Sequence, residues 1–191
     1  MQMSVKLEQS EDHRLVLRCL NQESDAFEIL VKRHQVRLFH IAMRILHDRE
    51  QSADTVQETF LRAYRKLAEY RPTGSFAGWL ARIAVNLCLN ELSRRKRLQF
   101  PSLSLADWLP AGPDSDPERA AQASDLRAVV RAQMDRLSPG RKAVLALAAL
   151  GYSYDEMCEI LEWKMSQVKS ELFRARQTLR DRVAAAKGDR S

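Results

Sequence analysis

No stretch of this 191-residue chain approaches the roughly eighteen uninterrupted apolar residues of a membrane-spanning helix, so no membrane insertion is expected. The opening residues, Met1 to Gln9, show no basic segment followed by an apolar block; neither secretion nor organelle import is expected, and the cytosol is the expected location. Only three cysteines occur, Cys19, Cys88 and Cys158, far apart and without a C-x-x-C pair, which fits small buried apolar residues rather than a disulfide or zinc framework. The four histidines, His13, His34, His40 and His47, form no H-E-x-x-H spacing, and there is neither a glycine-rich phosphate loop nor a nucleophile motif. That argues against an enzyme: no catalytic residue, cofactor or metal site is expected, although His40 and His47, two turns apart, share a helix face in principle.

What is present is an ordinary globular composition, 45% hydrophobic and 29% charged. The charge is unevenly placed. From Lys164 to Lys187 seven basic residues face two acidic ones, a net of +5, and Arg94 to Arg97 adds +4, while the whole chain carries only +6. Positive charge gathered in two places suggests a polyanion partner, because phosphate neutralisation with counterion release drives sequence-independent nucleic-acid binding.

Four of the six prolines, Pro101, Pro110, Pro113 and Pro117, fall in one stretch with Gly112, Asp114, Ser115 and Asp116. Proline fixes φ and blocks helix continuation, so residues 99–116 read as a linker between a domain of residues 1–98 and one of residues 117–191. Its Leu103, Leu105, Trp108 and Leu109 are too apolar for a free tether. On the N-terminal side the apolar period is helical throughout: Phe27, Leu30, Val31, His34, Leu38, Ile41 and Ile45 recur at three- and four-residue steps, as do Ala53, Val56, Phe60, Ala63, Tyr64 and Leu67. A helix from Ser52 to Tyr70, another from Ser75 to about Leu98 and a shorter one from Glu11 to Leu20 are expected. On the C-terminal side the boundaries are set by caps. Asp116 with Pro117 starts a helix through Leu137, Ser138 with Pro139 one ending at Gly151, Ser153 with Glu156 forms a capping box, and Ser166 caps a last helix to about Ala186. The fold class is all-α, two small helical domains joined by a linker, with four helices on each side.

Tyr154 to Leu161, a tight connection from Glu162 to Met165, and the long helix after it have the dimensions of a helix-turn-helix. Val168, Leu172, Ala175 and Leu179 gather on one side of the second helix, leaving Gln167, Lys169, Ser170, Phe173, Arg174 and Gln177 outward. Arg and Gln bond base edges, Lys and Ser meet phosphates, and an aromatic touches a thymine methyl or a sugar. In the N-terminal half Asp54, Gln57, Glu58 and Leu61 share one side of their helix; this acidic stripe suits a basic protein surface rather than DNA. The next helix behaves oppositely: Arg82, Asn86, Asn90, Ser93 and Arg97 fall on one face leading into Arg94, Arg95 and Lys96. Asparagines one turn apart are poor helix formers, so they point to hydrogen-bonding work. The turn from Tyr70 to Phe76 is flanked by aromatics able to hold an unstacked base, with core packing the favoured role for Phe76 and Trp79.

These residues resemble a known family. Asp54-Thr-Val-Gln-Glu-Thr-Phe60, Ala63-Tyr64-Arg65, Phe76, Trp79-Leu80, Arg82-Ile-Ala-Val-Asn86 and Asn90 are similar to region two of bacterial sigma factors of the extracytoplasmic-function group. Ser153-Tyr-Asp-Glu-Met157, Val168-Lys-Ser170 and Phe173-Arg-Ala-Arg176 resemble region four of the same group. The resemblance implies a factor that joins core RNA polymerase and directs promoter-specific initiation, recognising two DNA elements and helping to melt the duplex. It places Asp54, Gln57, Glu58 and Leu61 on the clamp helices of the largest polymerase subunit, with the flap of the second-largest subunit as a further contact. Arg82, Asn86, Asn90, Arg94, Arg95 and Arg97 are implied to meet the minus-ten element. Gln167, Lys169, Ser170, Phe173, Arg174 and Gln177 are implied to meet the minus-thirty-five element. The linker would thread toward the polymerase active-site and RNA-exit channels, and an anti-sigma protein is the implied regulator.

Three positions depart from the family pattern. Glu162 stands where glycine is usual in the helix-turn-helix connection, Glu171 where a basic residue often follows the serine, and Cys158 where alanine is usual. Glycine adopts positive φ freely, so a strained or reshaped turn is expected at Glu162. Glu171 would repel phosphate if it faced DNA, or accept from a cytosine amino group. The competing reading, a stand-alone DNA-binding regulator, predicts operator binding without polymerase and leaves the acidic stripe and the Arg82 to Arg97 surface without a role.

Overall fold

The computed structural model describes residues 2–71, 74–98, 130 and 132–188, and among these every regular element is a helix. Helices α1 (Gln2–Leu20), α2 (Ser24–Leu46), α3 (Arg49–Arg65) and α4 (Phe76–Leu98), with a 3-10 turn at Leu67–Glu69, form the N-terminal bundle. Helices α5 (Pro139–Ala149), α6 (Tyr154–Leu161) and α7 (Met165–Gly188) follow, preceded by helical residues at 132–135. The linker expected at 99–116, and the helix expected from Pro117 as far as 129, lie outside the described residues.

Helix α1 begins nine residues earlier than Glu11, since residues 2–10 contain no glycine or proline to stop it. It is pinned to α2 by buried charge: Arg33 Nη1 donates to Asp12 Oδ1 at 2.7 Å, and His34 Nε2 lies 2.8 Å from Asp12 Oδ2. Asp12 is only 3% exposed, a burial that requires such partners.

The helix expected at Ser52 starts instead at Arg49, because Asp48 is its N-cap and its carboxylate accepts from Gln51 N–H at 3.0 Å. It ends at Arg65 rather than Tyr70. Its inner face also differs from the apolar period: Ala53 and Tyr64 are exposed, while Ser52, Thr55, Thr59, Phe60 and Ala63 are buried. The inward hydroxyls satisfy themselves on the preceding turn, Thr55 Oγ1 donating to Gln51 O at 2.7 Å and Thr59 Oγ1 to Thr55 O at 2.6 Å. Helix α4 starts at Phe76, with the Ser75 hydroxyl accepting from Gly78 N–H at 2.9 Å.

In the C-terminal half Pro139 sits in the first turn of α5, and Gly151 takes φ +81° two residues beyond its end. The capping box of α6 is formed: Ser153 N–H donates to Glu156 Oε2 at 2.7 Å and Glu156 N–H to Ser153 Oγ at 3.3 Å. Helix α7 begins at Met165, so Ser166 lies inside its first turn instead of capping it; the Lys164 carbonyl accepts from Gln167 and Val168.

The two halves do not stand apart. Helix α4 packs on α6 and α5, and α2 on α5, and the buried apolar residues of both halves form one continuous cluster. It runs from Leu30, Ile41, Ile45, Phe76, Leu80 and Val85 into Val144, Leu147, Met157, Ile160 and Val168. Burying a side chain such as Phe76 or Leu80 stabilises the fold by about 1.5–3 kcal/mol relative to leaving it in water. Cys88 is buried here and its thiol is pushed up to about 12 by desolvation, while Cys158 packs partly buried against the same cluster, as alanine would.

Candidate nucleic-acid interface

Helix α7 places its side chains as the apolar period requires. Val168, Leu172 and Ala175 are buried, which turns Gln167, Lys169, Phe173, Arg174 and Gln177 to solvent with Ser170 half-buried between them. Phe173 is 67% exposed, a large cost for an aromatic ring with no partner to cover it. Lys169 Nζ sits 5.8 Å from the centroid of Tyr154, and Ser170 Oγ donates to Gln167 O at 3.1 Å.

Glu171 does not face outward as a lone charge. Arg141 Nε, on α5, donates to one carboxylate oxygen at 2.8 Å and Arg174 Nη1 to the other at 3.0 Å. The Arg141 hydrogen bond is the main reason the carboxyl titrates below its usual range. In this structure Glu171 is shared between two guanidiniums, and its contact to Arg174 is made through Nη1. Arg141 is a residue of this surface that periodicity alone does not reveal.

On α4, Asn86 and Asn90 are exposed one turn apart, and Ser93, Arg94, Lys96 and Arg97 continue the exposed face. Arg94 is fork-bonded to Glu91 at 2.9 and 3.0 Å, which holds the Glu91 carboxyl below its usual value. Arg95 departs from the sequence expectation. Its side chain is 14% exposed and folds back to pin the α2–α3 joint, meeting Asp48 at 3.2 Å, Glu91 at 3.2 Å, the Leu46 carbonyl at 3.5 Å and Gln51. The α2–α3 joint, invisible to a count of basic residues, is what draws it in.

Arg82 is also engaged, by Glu162 of the helix-turn-helix connection. Its Nε is buried without a hydrogen-bond partner. The aromatic residues beside the turn are core: Tyr70 and Phe76 are 8% and 1% exposed, their rings 5.3 Å apart at 89°, and the Trp79 ring lies tilted with its centre 5.5 Å from both. An open stacking platform is therefore not formed by these rings in this structure. Pro72 and Thr73 of the turn lie outside the described residues.

On α3, Asp54, Gln57 and Leu61 are exposed, and the half-buried Glu58 carboxylate accepts from Arg62 Nε at 2.6 Å. Leu61 and Tyr64 are 52% and 62% exposed, and Tyr64 lines a concavity of about 530 Å³ together with Cys19, Gln22, Glu23, Phe27 and Glu28. Acidic and apolar groups side by side suit a basic, partly apolar protein surface. His47 Nδ1 lies 2.9 Å from Asp135 Oδ1, and among the described residues no three His, Cys, Asp or Glu side chains converge on a metal-sized site.

The same two halves appear in known proteins. Residues 30–98 match the family model of sigma-70 region 2, and residues 127–179 that of sigma-70 region 4. The chain is 37% identical over 161 residues to the extracytoplasmic-function sigma factor SigE of Mycolicibacterium smegmatis, covering 83% of this chain and 62% of that protein's length. It is 31% identical over 181 residues to the RNA polymerase sigma-H factor of Pseudomonas aeruginosa, covering 91% and 94% of the two chains. Among solved structures it resembles CnrH in complex with the cytosolic domain of CnrY, with a TM-score of 0.66, 26% identity, and 92% and 98% of the two chains covered. The fold is also that of the sigma factor RpoE of Bartonella quintana, with a TM-score of 0.64 at 20% identity, over 83% and 96% of the two chains.

Proposed function

We propose a division of labour for this chain, which belongs to the extracytoplasmic-function group of the sigma-70 family. A polymerase core binds DNA through charge and has no means of choosing a start; this factor supplies two readers and a docking face. Asp54, Gln57, Glu58 and Leu61 are the docking face, offered to the clamp helices of the largest subunit, with the flap of the second-largest subunit holding the C-terminal half. Asn86 and Asn90, with Arg82, Arg94 and Arg97, take the minus-ten element and trap the opened strand. Unstacking costs a few kcal/mol per base step, and hydrogen bonds to extruded bases offset part of it. Arg95 is excluded from that group and serves as a positioning residue for the α2–α3 joint.

Gln167, Lys169, Phe173, Arg174 and Gln177 read the minus-thirty-five element in the major groove, with Ser170 at the phosphate edge and Glu171 orienting Arg174 toward a base. The single observation that carries this reading is the pair of outward faces in one chain: an amide-rich α4 surface and a polar, aromatic-bearing α7 face, each built on a buried apolar stripe. Control by an anti-sigma protein is part of the proposal, supported by the structure of RpoE from Bartonella quintana, which was solved in complex with the anti-sigma factor NepR. The chemistry is positional, and no catalytic group of the chain is needed. Run-off transcription with purified core polymerase over a promoter pool tests it: initiation at a defined subset is expected, and core alone serves as the reference. A chain that joins the core yet initiates nowhere refutes it.

A further inference from the structure

Helix α7 is held from outside its own helix-turn-helix unit. Helix α5 packs along it, and two adjacent residues of the first turn of α5 grip that unit at separate points. Gly140 is the first. A β-carbon placed there would lie 2.9 Å from Cη2 of Trp163, in the connection between α6 and α7, so the bare glycine lets that ring lie against α5. Arg141 is the second: its Nε donates at 2.8 Å to Glu171, further along α7.

Glu171 passes that anchorage on. Its other oxygen accepts from Arg174 Nη1 at 3.0 Å, so three side chains form a row from α5 to the outward face of α7. Exposure rises at the end of it: Arg141 keeps 30% and Glu171 21%, whereas Arg174 keeps 60%. An i,i+3 ion pair between two solvated groups is by itself a common surface feature of little energetic weight. Here the carboxylate is half-buried and tied to a second helix, which gives the pair a fixed footing. Arg174 meets it through Nη1, and a guanidinium carries five coplanar N–H donors, enough to add a fork to guanine O6 and N7. Ordering a long side chain before it binds is worth about two- to tenfold at the base it meets.

We propose that Arg141 is a specificity-determining positioning residue of the minus-thirty-five reader: through Glu171 it holds Arg174 for the edge of one guanine. The inference deepens the sigma-factor reading and rests on its assignment of α7. It also accounts for an anion within the basic stretch from Lys164 to Lys187, since both arginines bond to it. Holoenzymes of the wild type, Arg141→Met, Glu171→Ala, their double variant and Arg174→Lys are compared by run-off transcription over promoters randomised across the minus-thirty-five element. Each promoter carries a barcode in its transcript, so sequencing the transcripts gives the base preference at every pair. Arg174→Lys keeps the charge and loses the fork, and the guanine whose preference it abolishes marks the pair in question.

At that pair alone Arg141→Met and Glu171→Ala are each expected to lower the preference about two- to tenfold, and the double variant to lower it no further than either single change. Total output should meanwhile move in opposite senses, up on loss of the anion and down on loss of the cation. Both changes leave the buried Val168, Leu172 and Ala175 in place. An unchanged preference at that pair, an additive double variant, a loss spread evenly over all pairs, or wild-type preferences in Arg174→Lys overturns the proposal. A wild-type holoenzyme that initiates nowhere in the pool sinks the functional reading itself, whereas wild-type initiation with unaltered variants sinks only the role of Arg141.

Discussion

Two adjacent arginines on α4 do opposite jobs, and exchanging either for methionine separates them. Arg95 is 14% exposed and Arg94 56%. Arg95→Met removes the hydrogen bonds to Asp48, Gln51, Glu91 and the Leu46 carbonyl while keeping most of the apolar volume. Breaking a fully buried ion pair costs about 3–5 kcal/mol. Here the carboxylates retain 18% and 20% exposure. Asp48 still caps α3, and Glu91 still holds Arg94, so the cost falls to about 2 kcal/mol. For a chain of this size that is a fall of roughly 4–8 °C in Tm.

Arg94→Met is expected to leave Tm close to that of the wild type, because its pair is solvated. Its effect belongs to DNA: the slope of log affinity against log salt for the holoenzyme on promoter DNA should shrink by about 1, the share of one phosphate contact. Calorimetry and a salt titration on both variants give four numbers with a crossed pattern. An Arg95→Met protein with native Tm and a reduced salt slope refutes the inward placement.

Further outcomes follow from the same contacts. Asn86→Ala should leave polymerase affinity near wild type while lowering open-complex formation, read by permanganate footprinting of the melted strand; equal loss of both contradicts the assignment. Thr59→Val should alter stability by less than about 1 kcal/mol in urea unfolding, since the hydroxyl bonds only its own helix, whereas Thr59→Asn at this fully buried site should cost about 2 kcal/mol or more. The Glu91 carboxyl, depressed chiefly by Arg94, contributes stability that is fully present above the usual glutamate range and is lost as pH falls through its lowered folded value. Thermal unfolding between roughly pH 5 and 3 should therefore show a shallower loss in Arg94→Met than in wild type.

How much of this was legible in the sequence depends on the range of the interaction that decides each feature. Caps are local. Ser153 with Glu156, Pro139 after Ser138, and Gly151 set boundaries that the chain adopts, because each satisfies backbone groups within a few residues. Asp48 is as local but competes with Ser52, and the earlier residue wins because its carboxylate reaches Gln51 N–H. The inner face of α3 misleads for a different reason. Threonine counts as polar in any periodicity, yet at Thr55 and Thr59, four apart, the hydroxyls return to the helix backbone and leave the methyl groups to pack like those of an apolar residue.

Charge is where sequence and structure part most, because a count of cations says nothing about which are already spent. The run from Arg94 to Arg97 reads as +4, yet Arg94 shares Glu91, Arg95 lies folded over Asp48, and Lys96 and Arg97 alone extend outward without such a tie among the contacts described. On α7 the sign reverses: Glu171 looks like a defect in a helix proposed to face DNA, but it is shared between Arg141 and Arg174 and so is not an isolated anion. Glu162 extends the same logic across the molecule, since its carboxylate, set at a left-handed corner, pairs with Arg82 of the other half. A count of cations on either half therefore overstates the charge offered to a partner, because the carboxylates that share each guanidinium set how much of it remains.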